Sequence, residues 1–218
     1  LARERVRVLA NLSHHQVLTG RFVEATQVIR EMIAISIELE DGEALANDYY
    51  FIANAYLNLG EVETARRYFQ RSIAPYAPAD GVEYYAPLSK LATIDRIEGR
   101  LELALQGHLE TLAHFQIQNT YRSIPASIEI ARDYLAMGNL ELAEQYANQA
   151  WSDPRALLEQ RIDAGLVLFD SATRGQQQPA AERVRLELRE LLDQAQAVRG
   201  QHKVNPVQRI EYATISVR

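Results

Sequence analysis

Three features of the 218-residue sequence predict an all-α solenoid of about five helix-turn-helix repeats. A glycine–alanine pair recurs at near-constant register, amphipathic segments of helical period flank each pair, and the prolines gather where repeats should meet. Self-similarity with a period of roughly 20–50 residues marks stacked repeats, because one two-helix unit cannot bury its apolar face alone.

The pairs come first. Gly20 is followed five residues later by Ala25, Gly60 by Ala65, Gly99 by Ala104 and Gly138 by Ala143, with steps of 40, 39 and 39 between the glycines. Gly175 with Ala180 extends the series at a shorter step of 37. A turn between helices needs a positive φ, which glycine adopts without the clash a Cβ brings. The alanine, one turn into the second helix, lets the paired helices approach closely.

The flanking segments carry apolar residues three, four and seven apart, as in Tyr49, Ile52, Ala53 and Tyr56 before Gly60 and Ile128, Ala131, Tyr134 and Leu135 before Gly138. After the glycines the second helices read Ala25, Ile29, Ile33; Ala65, Phe69, Ile73; Ala104, His108, Leu112; and Ala143, Ala147, Trp151. No segment sustains the period-two alternation of a strand. Tyr56, Tyr68, Tyr134 and Tyr146 fall on apolar faces, which predicts packing. The seven prolines, Pro87 among them, are expected at junctions or in first turns, where a missing N–H does little harm. Gly107 and Gly165 fall inside second and first helices and predict close helix contacts.

The repeats are expected near 6–45, 46–84, 85–123, 124–160 and 161–200, one domain over 1–200. Its last helix, 179–199, places Val184, Leu188, Leu191, Leu192, Ala195 and Val198 on one face. Residues 201–218 are expected to open a further helix or a linker to a domain outside this segment, with Asn205-Pro206 as cap and first helical position.

Gly60, Ala65 and Phe69, preceded by Tyr49, Ile52 and Tyr56, resemble the signature of the tetratricopeptide repeat (TPR); Gly138 and Ala143, preceded by Ala131 and Tyr134, do so too. The resemblance implies a right-handed superhelix whose concave surface is lined by first helices and binds peptides, helices or domains. The period near 40, against the family's common 34, is similar to that of MalT-like bacterial regulators and of repeat input domains on bacterial sensor kinases and diguanylate cyclases.

Composition narrows the function. A net charge of −6 and no basic stripe beyond the short Arg3, Arg5, Arg7 cluster argue against nucleic acid as partner. Without cysteine there is no disulfide, zinc-thiolate site or thiol nucleophile. No apolar run reaches the roughly 18 residues that span a bilayer, so no membrane contact is expected of this segment. The chain begins at Leu1 without a signal-like stretch and reads as part of a longer protein, cytoplasmic, or periplasmic if the parent carries a signal or anchor. Oligomeric state is left open.

Phosphate-loop, HExxH, EF-hand and GxSxG patterns are all absent. His14 and His15 diverge by about 100° on a helix and cannot share a metal. No catalytic residue, cofactor or metal site is predicted, and the segment is read as no enzyme.

Counting back from each turn glycine places a candidate binding face on the first helices: His14; Asn47, Tyr50, Asn54 and Asn58; Thr93 and Arg96; Arg132; and Phe169. Asn47, Tyr50, Asn54 and Asn58 form one helical stripe. Asparagine is a mediocre helix former, but its amide both donates and accepts, which suits the backbone of an extended peptide. Arg96 and Arg132 would offer forked donors to a carboxylate. The expected partner is a protein or peptide. The alternatives are a metabolite enclosed by Tyr50, Phe169 and the arginines, as the MalT resemblance implies, and a structural oligomerisation module.

Overall fold

The structure, a computed structural model, describes residues 2–38, 42–118 and 120–198. They form ten α-helices and no strand: α1 Ala2–Leu18, α2 Phe22–Glu38, α3 Gly42–Asn58, α4 Val62–Ile73, α5 Val82–Ile97, α6 Leu101–Ile117, α7 Ser123–Ala136, α8 Leu140–Ser152, α9 Leu158–Arg174 and α10 Gln178–Val198. A single 3₁₀ turn, Pro78–Asp80, precedes α5. The segment expected to follow Gly200 lies outside the described residues.

Two compact units divide the chain within α5, one ending at Leu91 and the other starting at Ala92. In the first unit α1 packs on α2, α3 on α4, α2 on α3, and α1 on α3. In the second, α6 packs on α7, α7 on α8, α8 on α9, α9 on α10, and α7 on α9. Helices adjacent in sequence are therefore adjacent in space, as stacked helical hairpins require.

The turns explain the glycine series. Gly20, Gly60, Gly99 and Gly138 all have φ between 76° and 81°. The N–H just past each glycine bonds the carbonyl five residues earlier: Arg21 to Gln16 at 2.8 Å, Glu61 to Tyr56 at 3.0 Å, Arg100 to Asp95 at 2.8 Å and Asn139 to Tyr134 at 2.9 Å. This Schellman closure satisfies carbonyls that the helix end would otherwise leave without a donor. Ala25, Ala65, Ala104 and Ala143 follow, each fully buried.

The fifth member is corrected by the structure. Gly175 has φ −74°, and the left-handed residue is Gln176 at φ 57°. Gln177 N–H bonds Ala172 O at 2.8 Å, so the closure is intact but one residue later. The buried alanine is accordingly Ala181, five residues after Gln176, and not Ala180. α9 simply runs one residue further before it turns.

Pro87 is a second correction. It is the sixth residue of α5, inside the helix, where its ring removes the N–H that the Glu83 carbonyl would accept. The other prolines of the described residues lie at junctions or in first turns.

The core is built from the predicted faces. Val6, Leu9, Ala10, Ile29, Met32, Ile52 and Ala55 form a buried cluster in the first unit, with Tyr49, Tyr56 and Tyr68 packed against it. In the second, Ile124, Ile128, Ala150 and Ala164 cluster beside Trp151, and Leu112, Ala126 and Ile130 beside Tyr134 and Tyr146. The tyrosines stack between the two helices of a repeat, Tyr56 on Tyr68 and Tyr134 on Tyr146. Both inner glycines are close contacts. A Cβ on Gly107 would lie 2.9 Å from Ala92 Cβ, and one on Gly165 would lie 2.2 Å from the Trp151 ring and 2.6 Å from Leu188.

Gln176→Gly removes a left-handed strain of about 1–2 kcal/mol and adds unfolded-chain entropy, so it should stabilise the second unit by roughly 0.5–1 kcal/mol. Gly99→Ala meets no steric obstacle within 4 Å, yet should cost about 1 kcal/mol for conformation alone. Thermal unfolding followed by circular dichroism reads both; a Gln176→Gly chain that melts lower than its parent contradicts a turn centred on residue 176.

Candidate functional site

The expected binding-face residues fall into two groups of different character. On α1 and α3 the polar side chains remain near solvent. Asn47 and Asn58 are exposed, as is His14. The Asn58 amide and His14 Nδ1 meet at 3.1 Å, joining first helices 44 residues apart in sequence. Loss of hydration against its neighbours, and then the adjacent His15, lower the His14 pKa. At neutral pH its ring is therefore uncharged, and Nδ1 accepts the Asn58 N–H. Asn54 is half-buried and donates to the Tyr50 carbonyl of its own helix at 2.8 Å. The Tyr50 ring turns toward α4, 5.7 Å from buried Phe69 in an edge-on contact, so it packs more than it lines a surface.

On α5 and α7 the expected donors are already occupied. Arg96 Nη2 donates to Glu129 Oε2 at 2.6 Å, and Nη1 to Asp133 Oδ1 at 2.9 Å and to the Glu129 carbonyl at 3.2 Å. Arg132 Nη1 donates to Glu129 Oε1 at 2.7 Å and Nη2 pairs with Asp163 Oδ1 on α9 at 2.9 Å. The forked donors do grip carboxylates, but those of the protein itself. Thr93 joins them, its hydroxyl 3.4 Å from Glu129 and 3.3 Å from His108 Nε2. Phe169 lies half-buried on α9, its carbonyl bonded by the Thr173 hydroxyl at 2.7 Å.

The centre of this network is a pair that the helical patterns do not mark as a site. His108 Nδ1 contacts Asp133 Oδ2 at 2.6 Å, and both side chains are fully buried. A signal existed: His108 sits at the second-helix position that Ile29, Phe69 and Ala147 fill with apolar side chains. A polar ring there demands a partner, because an unbonded polar group in a core is costly. The partner sits on α7, 25 residues away, and no local pattern names it.

A smaller link of the same kind joins α2 to α3. Buried Ser36 donates to buried Asp48 at 3.0 Å. Burial pushes the Asp48 carboxyl above its ordinary range, while the Ser36 hydrogen bond and the Arg3 cation pull it back. Among the described residues no group of three or more histidine or acidic side chains could hold a metal ion, and no helix is long and apolar enough to cross a membrane.

Comparison with known proteins agrees with this architecture. No protein-family model matches the chain, and no curated protein matches its sequence. Solved structures do match. A putative kinesin light chain of Podosopora anserina, made of nearly identical TPR-like repeats, is similar with a TM-score of 0.65 at 18% identity, over 89% of this chain and 98% of that one. A point variant of the same protein gives 0.66 at 17% identity, over 90% and 99%. BtubC (BKLC) from P. vanneervenii gives 0.68 at 18% identity, over 92% of this chain and 82% of that one. The chain thus has the TPR-like repeat fold. At these identities the likeness is one of fold.

Two measurements test the polar links. Asp133→Ala removes the Nδ1 partner of His108 and one of the two carboxylates that hold Arg96, and breaking a buried pair of this kind costs about 3–5 kcal/mol; urea unfolding should show a loss of that size, against about 1 kcal/mol for Thr93→Val. For Asp48 the folded pKa lies above the unfolded one, so folding takes up a proton between the two. Its contribution to stability is therefore largest below about pH 4 and falls as pH rises through the folded pKa. The difference in urea midpoint between Asp48→Asn and its parent should grow in favour of the variant across that window; a difference that does not change with pH refutes the assignment.

Proposed function

We propose that this chain is a non-catalytic module that binds a protein or peptide along the first-helix face of its first unit. The observation that carries the reading is the contrast between the two groups of side chains. Arg96 and Arg132 are held by Glu129, Asp133 and Asp163, whereas Asn47 and the Asn58–His14 pair keep amide and ring groups at the surface. Asn47, Asn54 and Asn58 lie within about 40° of one another around α3. They therefore present a continuous polar edge about three turns long, the length of several residues of extended peptide. Such amides can meet successive backbone groups without regard to side-chain identity.

The repeat fold supports a scaffold role, since stacked hairpins supply an extended surface and no inherent chemistry. The likeness of the long repeat period to bacterial regulatory repeats supports a finer placement, the input or scaffold segment of a larger signalling protein.

Selection of a random peptide-display library on the purified chain tests the reading. Peptides of micromolar affinity are expected, and Asn47→Ala with Asn58→Ala should weaken them about tenfold or more, two hydrogen bonds' worth. Selected peptides that bind the double variant as tightly as the parent would remove this face from consideration.

A further inference from the structure

On the other side of α3, α2 and the turn between α3 and α4 enclose a cleft of about 470 Å³ lined by Thr26, Arg30, Tyr56, Leu59 and Glu61. Tyr56 is two residues from both Asn54 and Asn58, which on a helix places it about 200° away from that stripe. The cleft shares no residue with the proposed peptide face. Its size falls in the range of small-molecule sites, about 300–1,000 Å³.

The lining holds two opposite charges that do not neutralise each other. Some exposed arginines elsewhere do take a nearby carboxylate, Arg5 with Glu31, Arg155 with Asp153 and Arg174 with Asp170. Arg30 and Glu61 share one cleft, yet among the described residues neither side chain is in an ion pair or a hydrogen bond. Glu61 occupies the cap position of α4, yet its side chain bonds no backbone N–H there. Its carboxylate is thus not used by the helix end.

The same lining holds a proton donor. The Tyr56 ring is stacked on Tyr68 with centroids 5.6 Å apart and planes 5° apart. Burial, then Tyr68, push the Tyr56 hydroxyl up; Arg30 opposes and Glu61 adds to the rise. The phenol therefore stays protonated at neutral pH and offers an O–H. Leu59, half-buried, supplies an apolar wall beside the Tyr56 ring.

We propose that this cleft binds a small zwitterion of the α-amino acid type, with its carboxylate on Arg30 and the Tyr56 hydroxyl, its ammonium on Glu61, and an apolar side chain against Leu59 and the Tyr56 ring. The charges select against the simpler classes. An anion would be repelled by Glu61, a cation by Arg30, and a neutral apolar molecule would strip water from both without replacing it. A ligand carrying both charges satisfies each wall, and a planar guanidinium suits a carboxylate bidentately.

Isothermal titration of the purified chain with three compounds of one side chain tests this: L-leucine, L-leucinamide, which lacks the carboxylate, and N-acetyl-L-leucine, which lacks the ammonium. L-leucine is expected to bind saturably, and each analogue about tenfold more weakly or worse. Arg30→Leu should erase the preference for leucine over leucinamide, and Glu61→Gln the preference over N-acetyl-leucine. Both residues are exposed, so the variants should keep the parent's melting temperature, checked in parallel. No saturable heat from L-leucine up to about 10 mM, three compounds binding alike, or binding that survives both substitutions would each overturn the proposal.

Discussion

Each repeat turns on one backbone bond, from the N–H just past a left-handed residue to the carbonyl five positions before it. That bond ends the first helix and aims the second back along it, and it places a buried alanine one turn further on. The alanine's small side chain then allows the close approach that brings Tyr56 onto Tyr68 and Tyr134 onto Tyr146. The closure is stricter than the residue that makes it. Gln176 takes the left-handed conformation at a conformational cost, because α9 continues one residue past the point where glycine would have stopped it. What recurs along the chain is the geometry, φ near 80° or 57° and a buried alanine five residues later.

This is why so much of the fold was legible and why specific parts were not. A turn that needs positive φ leaves a glycine, and a close contact leaves an alanine or a glycine, so local sequence carries both. Gly175 misled because a glycine next to a turn is as visible as one in it. Pro87 was expected at a junction because a helix interior normally excludes it, yet it lies in α5 near the place where the two compact units divide. Of the candidate site, the asparagine stripe was readable because its spacing is internal to α3. The fate of Arg96 and Arg132 was not. Their carboxylates lie on other helices, Glu129 and Asp133 being 33 and 37 residues from Arg96, and helical period says nothing about which repeat supplies a partner.

The pairing of charges differs between the two units. In the second, cations and carboxylates of successive first helices are matched to one another, so Arg96 and Arg132 have little left to offer a ligand. In the first, exposed polar groups lie on both sides of α3: Asn47 and the Asn58–His14 pair on one side, Arg30 and Glu61 on the other. A surface that has not satisfied itself is the one with interaction energy still available, and on that ground both proposed sites fall in the same unit.

The buried network also fixes which repeat stacks on which. Repeats built on one pattern risk pairing out of order, since any apolar face can cover another. Counted from its turn, Arg96 stands where the other first helices carry Val17, Leu57, Leu135 and Thr173, and the two carboxylates that receive it stand where others carry Phe51 and Ala55, Lys90 and Ile94, or Val167 and Ser171. Only α7 next to α5 joins the arginine to its acceptors. The third repeat has no tyrosine pair either: Asp95 and Gly107 occupy those positions, Asp95 takes Arg100 at the turn, and the bare glycine lets α6 close on Ala92. His108, at a position that is apolar in Ile29 and Phe69, finds its Nδ1 partner when Asp133 comes with α7. A wrong neighbour would remove the carboxylates that hold a fully buried imidazole Nδ1 and a largely buried guanidinium, a penalty of several kcal/mol, whereas an apolar core at the same place would have accepted any neighbour at small cost.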